Sequence, residues 1–212
     1  AVTAPNDEIL IQRNSHTSIY NGAILNRLKV EYIYPNYNNK YKIFTGIDPS
    51  HVESILKGNP NIKVVVITYP TYYGICCPLK EIAEIVHSYD KILLVDEAHG
   101  SHFAFSPNLP STALELGADI VVQSTHKTLP SLTQSSMIHV GSHRVNIEKL
   151  KEMCKLYQST SPSYLLMASL DAARAYMEGE GSERLNCHLS HMKELIHSLN
   201  KLDNVTIFTG DE

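Results

Sequence analysis

Short apolar runs and amphipathic stripes take turns along this chain. EILIQ at residues 8–12 and KVEYI at 29–33 read as strands. A helix over 18–28 lies between them, with Ile19, Ala23 and Leu25 turned partly inward. The polar segment 35–42, rich in Asn and Tyr, is a loop by composition. Asp48-Pro49-Ser50 starts a helix, with an N-cap residue and then Pro in the first turn; it ends near Gly58-Asn59-Pro60. KVVVIT at 63–68 is β-branched and continuous, as expected of a strand covered on both faces. Residues 69–74 (YPTYYG) form a loop. Over 78–89, Leu79, Ile82, Ala83 and Val86 recur at i, i+3, i+4 and i+7, one apolar helical face. KILLV at 91–95 is another buried strand, and a short helix over 111–116 stops at Gly117. The run 119–122 and residues 136–140 add two strands. The tail, 146–202, is mostly helical, with a stripe of Leu185, Leu189, Met192, Ile196 and Leu199 expected to pack in a core. NVTIF at 204–208 reads as a strand opening a second domain.

Strand, helix, strand repeated in this way predicts an α/β fold. The sheet is mostly parallel with helices on both faces, in three layers, α/β/α. No internal repeat or low-complexity linker interrupts it. Ligands of such sheets sit beyond the carboxyl ends of the strands. Four polar clusters fall there: 13–18, 69–74, 96–102 and 124–127. Together they make a better site than any one of them alone.

Composition narrows the classes. The 212 residues, 43% of them hydrophobic, can supply the core of one large domain or a domain and a half. The net charge of −4 gives no electrostatic footprint for nucleic acid. No apolar run approaches the roughly 20 residues of a membrane span. The first ten residues lack the basic and apolar regions of a signal peptide. Cys76, Cys77, Cys154 and Cys187 show no C-x-x-C spacing, and free thiols in a reducing cytoplasm are expected.

The chemistry centres on QSTHKT, residues 123–128, just past the strand at 119–122. Burial of Lys127 would lower its pKa, and a neutral amine attacks carbonyls. Ser124, Thr125 and the turn's N–H groups suit an anion. Pyridoxal phosphate requires such a pairing of amine and phosphate cradle; a surface lysine in a strand-to-loop turn is the plainer alternative. Asp96, directly after KILLV, could keep a pyridinium nitrogen protonated, or could serve as a helix cap or in an ion pair. DEAHG at 96–100 also resembles the DEAH box of helicases, but no G-x-x-x-x-G-K-[ST] loop occurs in the 95 residues before it. His99 and His102, with Asp96 near, have a spacing that can ligate zinc on a helix, yet no third ligand has obvious spacing and no metal is expected. Among eleven histidines, His51, His87, His188 and His197 look like solvated helix positions.

RNSHTS (13–18), PTYYG (70–74), LLVDEAHGSHF (93–103), GADIVVQSTHKTLPSLTQSSMIHV (117–140) and TSPSYLLMASLDAAR (160–174) resemble the Orn/Lys/Arg decarboxylase family, fold-type I pyridoxal-phosphate enzymes. The resemblance runs from about residue 8 to about 178. It lies closer to the shorter, Gram-positive-type members than to the large inducible acid-stress enzymes. It implies that Lys127 forms the internal aldimine and that Asp96 holds the pyridine nitrogen. Ala98 would pack on one ring face and His16 on the other, with His99 near the ring hydroxyl. Ser124 and His126 would touch the phosphate, and Thr160 and Ser161 would reach the cofactor of a partner subunit in a dimer-based homo-oligomer. The implied activity is decarboxylation of arginine, lysine or ornithine to a diamine or agmatine. In it the ring takes up charge as CO₂ leaves, and Lys127 or a nearby histidine returns a proton to Cα. Other fold-type I enzymes, aminotransferase-like, share the Asp/Lys logic; RNSHTS and QSTHKTLPSLTQ argue against them.

Residues 1–178 are then the pyridoxal-phosphate-binding large domain, incomplete at its N-terminus, and 179–212 lead into a C-terminal domain. Without an initiator Met, the chain is expected to be a fragment. The phosphate loop, one edge strand and the C-terminal domain would lie outside it, leaving it inactive alone.

Overall fold

The computed structural model describes residues 1–209; the last three residues of the 179–212 segment lie outside them. Strands β1 (Glu8–Gln12), β2 (Lys29–Ile33), β5 (Ile62–Thr68), β6 (Ile92–Asp96), β7 (Ile120–Gln123) and β8 (Met137–Val140) form one six-stranded sheet in the order β2-β1-β5-β6-β7-β8. All neighbours are parallel except β7 and β8, which run antiparallel. The polar segment 35–42 is not wholly loop. It contributes to a two-stranded antiparallel ribbon of β3 (Tyr37–Asn38) and β4 (Ile43–Phe44), with Tyr37 edge-on to Phe44.

Because side chains alternate across a strand, each strand feeds both faces of the sheet. Leu10, Val65, Ile67, Leu93 and Val95 point to one face. There they meet Val52 and Leu56 of α2 (Pro49–Gly58) and Leu79, Ile82, Ala83 and Val86 of α3 (Leu79–Ser88). Ile9, Ile11, Val64 and Val66 point to the other, against Ala23 and Ile19 of α1 (Thr17–Leu25). This explains the continuous apolar runs: both faces of the central strands are covered. Asp48 caps α2, its side chain accepting from Ser50 N–H at 2.8 Å.

Several expectations change. Leu25, predicted to turn partly inward, is 73% exposed, because α1 ends there and the chain turns through Arg27 at φ 52. The predicted helix at 111–116 is a turn, although Gly117 does take the positive φ (98) of a helix stop. The tail is helical: α5 (Ile147–Tyr157), α6 (Tyr164–Tyr176), a π-helical turn (Met177–Gly181) and α7 (Ser182–Leu199). No residue of α7 is buried, so its apolar stripe is not core. Its bonds to the domain body come near its start, where Asn186 Oδ1 accepts from Ser106 Oγ at 2.7 Å and Asn108 Nδ2 at 3.0 Å. Residues 204–208 form no strand; Phe208 packs instead on Tyr41, ring centres 5.0 Å apart.

His87, read as a solvated helix position, is half-buried, with Nε2 2.9 Å from Asp119 Oδ2. Asp119, fully buried, also accepts from Leu93 N–H at 2.7 Å and from the Ser142 hydroxyl. One carboxylate thus ties together α3, β6, β7 and the exit of β8.

Candidate active site

The strand order reverses between β1 and β5, which opens a crevice at their carboxyl ends. Gln12, the last residue of β1, is 1% exposed. Its Oε1 accepts from Thr68 N–H at 3.0 Å and its Nε2 donates to Asn14 Oδ1 at 2.8 Å, pinning the 13–18 loop to the end of β5. His16 follows as the N-cap of α1. Its Nδ1 accepts from Ser18 N–H (3.3 Å) and lies 2.9 Å from Ser18 Oγ, so that nitrogen faces the helix start.

Register aligns the remaining parts. Thr68 lies beside Asp96, and Asp96 beside Val122. β5 and β6 therefore end at one level, and β7 one residue beyond it. They open on a cavity of about 560 Å³. Its walls carry His16 and Ser18 from the first loop, Thr68 and Tyr72 from the second, Asp96, Ala98 and His99 from the third, and Ser124 and Lys127 from the fourth. The four polar clusters expected to converge do so.

Asp96 is buried, and its Oδ1 accepts from Ala98 N–H at 3.2 Å. Its other oxygen has no protein partner among the described residues. Lys127 does not have the burial expected of it. It lies in α4 (Thr125–Thr128), and its side chain is exposed at the open mouth of the cavity. Its Nζ lies 3.1 Å from His99 Nε2. Among the described residues Asp96 and Lys127 form no ion pair, although both line the cavity, so the space between acid and amine is open.

Burial holds the His99 imidazolium below its ordinary range, and the Lys127 charge pushes in the same direction; Asp96 opposes them. A neutral His99 accepts a hydrogen bond from the ammonium of Lys127. Lys127→Ala removes one cause of the depression, so the His99 pKa is expected to rise toward 6.5. An imidazole NMR titration checks this; an unchanged value would mean that the two groups do not interact.

His126 is not brought to the cavity. Neighbours in a helix point about 100° apart, so His126 and Lys127 cannot share one direction. His126 Nδ1 instead lies 2.8 Å from the Ser135 carbonyl. Thr160 and Ser161 are exposed on the loop between α5 and α6, away from the cavity. His102 also stays outside it, packed at 5.0 Å on the Phe103 ring. Among the described residues no group of three His, Cys, Asp or Glu is placed to hold a metal. Glu97 lies inside the protein, 0% exposed, so it cannot face Mg²⁺ and water as the second residue of a helicase DEAH box would. No helix of the described residues is long and apolar enough to cross a membrane.

Asn14, Ser18 and Tyr72 fall within the expected clusters but carry no role of their own in the sequence reading, and Thr68 lies outside all four. Thr68 has no motif, and only its register beside Asp96 reveals it. Tyr72 could have been found, since it sits at the centre of the 69–74 cluster. It is 81% exposed, with its ring edge-on to His99 at 5.9 Å.

Known proteins resemble this chain closely. The uncharacterized protein YaaO of Bacillus subtilis (strain 168) is 40% identical over 206 residues, covering 96% of this chain and 43% of the relative. An arginine decarboxylase of Bacillus cereus is 36% identical, covering 95% of this chain and 45% of the relative. The crystal structure of the Francisella novicida lysine decarboxylase superposes with a TM-score of 0.80 at 28% identity, over 98% of this chain and 31% of that one. The chain thus spans less than half the length of these relatives. A family profile for the major domain of Orn/Lys/Arg decarboxylases matches residues 1–210. With the sheet, the crevice and its residues in place, the chain belongs to the Orn/Lys/Arg decarboxylase family.

Proposed function

We propose that the intact protein decarboxylates a basic L-amino acid, arginine, lysine or ornithine, to the corresponding amine. The observation that carries this is the cavity with a buried carboxylate and an accessible amine on separate walls, in a chain of this family. The family's cofactor is pyridoxal 5′-phosphate. The residues present fit it: among the described residues Asp96 keeps one oxygen without a protein partner and forms no ion pair with Lys127, and Ala98 lines the same cavity with a small side chain. When bound, the cofactor supplies an electron sink for the charge left as CO₂ departs.

The protein's own groups supply the rest. Asp96 would hold a proton on the ring nitrogen, because a buried anion favours a nearby cation. Ala98 and His16 would flank the ring, and His99 would lie beside its hydroxyl. Lys127 would attach the cofactor covalently, and Lys127 or His99 beside it would return a proton to Cα in place of the departing CO₂, with His99 exchanging the proton at Nζ across 3.1 Å. Ser124 would meet the phosphate; His126, engaged through Nδ1 with the Ser135 carbonyl and outside the cavity lining, would not. Thr160 and Ser161, on an exposed loop, would reach the site of a partner subunit in a homodimer. The four free cysteines fit a reducing compartment, and we place the protein in the cytoplasm, feeding polyamine synthesis.

The test is to add pyridoxal phosphate to the intact protein and assay CO₂ release from arginine, lysine and ornithine in turn. Turnover of one of the three supports the proposal and names the substrate. A protein that binds the cofactor yet transfers amino groups without releasing CO₂ would be aminotransferase-like instead.

A further inference from the structure

One buried carboxylate has no part in the chemistry proposed above. Glu97 follows Asp96 and is fully enclosed. Its Oε1 accepts from Ala113 N–H at 2.6 Å, and its Oε2 accepts from Gln123 Nε2 at 2.6 Å. Gln123 ends β7, four residues before Lys127, and its Oε1 lies 3.0 Å from His139 Nε2 on β8. The Glu97 N–H donates to the Val122 carbonyl at 2.9 Å. The following loop closes directly over this side chain: a Cβ on Gly100 would meet Glu97 Cγ at 2.6 Å.

Burying a carboxylate costs free energy unless hydrogen bonds or a cation offset it. Among the described residues, the titratable groups that act on Glu97 or feel it are Glu115, Tyr69 and Cys76, none of them a cation, and burial pushes its pKa up. Two short hydrogen bonds are what holds it. Both join the end of β6 and the loop after it, which carry Asp96 and His99, to neighbouring elements; one of them reaches the end of β7, just before Ser124 and Lys127. We infer that Glu97 is a positioning residue, which clamps the strand end bearing Asp96 to the strand end bearing Lys127 through the chain Glu97–Gln123–His139. This rests on the roles proposed for Asp96 and Lys127.

The chain has a defined polarity. A carboxylate only accepts, so the Gln123 amide N–H₂ faces Glu97 and its oxygen faces His139, which donates from Nε2. Glu97→Gln reverses this order without losing a bond. The new Oε1 accepts from Ala113, the new Nε2 donates to Gln123 Oε1, and Gln123 then donates to an unprotonated His139 Nε2. Glu97→Leu keeps the volume but leaves the Ala113 N–H and the Gln123 side-chain N–H₂ without their acceptor.

The experiment uses the intact protein with pyridoxal phosphate. It compares kcat, KM, the melting curve and the ¹⁵N shifts of His139 in wild type, Glu97→Gln and Glu97→Leu. Glu97→Gln should hold kcat within about tenfold and move the His139 proton from Nε2 to Nδ1. Folded Glu97→Leu should lose about 10²-fold in kcat with KM nearly unchanged, the scale of a misplaced catalytic group. If Glu97→Leu does not fold, Gln123→Leu cuts the same bond from its other end and is held to the same expectation. A folded Leu variant with wild-type kcat overturns the clamp, as does a Glu97→Gln variant as impaired as the Leu variant. Should wild type release CO₂ from none of the three amino acids, the proposed function fails. The tautomer exchange then decides the clamp by itself, and its absence overturns it.

Discussion

Lys127→Ala in the intact protein is expected to abolish both the visible absorption of lysine-bound pyridoxal phosphate and the release of CO₂. Lys127 is the only lysine lining the cavity among the described residues, so no neighbour can replace its amine. Loss of proton transfer alone would cost about 10²–10⁴-fold in rate, and loss of the covalent attachment adds to that. Lys127→Arg separates nucleophile from charge. A guanidinium stays protonated at any working pH and cannot attack a carbonyl. It preserves attraction for the phosphate but should leave the absorption band absent. Spectrophotometry and trapped CO₂ on the three proteins make the comparison. Wild-type turnover by Lys127→Arg would show that the lysine serves only as a cation.

The second large effect is on stability. Asp119→Ala should destabilise the protein by about 3–5 kcal/mol, the cost of removing one partner from a buried polar cluster. Asp119 is 0% exposed and serves three donors: Leu93 N–H on β6, His87 on α3 and Ser142 after β8. Alanine leaves the Leu93 N–H buried without a partner, and such an orphan costs about 1–3 kcal/mol by itself. Against a total of about 5–15 kcal/mol for a typical domain, the loss is severe. Asp119→Asn, which keeps one accepting oxygen, should fall between the two. Urea denaturation monitored by circular dichroism measures it. A change below about 1 kcal/mol would mean that the cluster relaxes around the gap.

His87 and Asp119 also mark a limit of legibility. In the chain they are 32 residues apart. His87 looks like a solvated position because helical periodicity reports which face is apolar, not which polar edge meets a buried acid. Glu97 is a similar case. DEAHG suggests two acidic groups facing one ligand. In the fold, Asp96 faces the cavity while Glu97 turns inward, to Gln123 and Ala113, as adjacent residues at a strand end do. The stripe on α7 misled in the opposite direction. Spacing establishes that Leu185, Leu189 and Ile196 share a face, but not that a surface lies opposite.

What the sequence by itself determined was whatever is local or periodic. The alternation of apolar runs and helical stripes specified the parallel sheet and both helical layers, because strand and helix periods differ and each must bury its own face. The end of each run marked the sheet edge where Asp96, His99, Ser124 and Lys127 collect, and the motif blocks marked the family. Only the tertiary structure decided distances and directions across the sheet. It placed Thr68 beside Asp96, paired Lys127 with His99, turned His126 toward Ser135, and drew Glu97 and Asp119 into buried hydrogen bonds. Those outcomes depend on strand register and on which donors need a buried partner, and both are set only when distant segments meet.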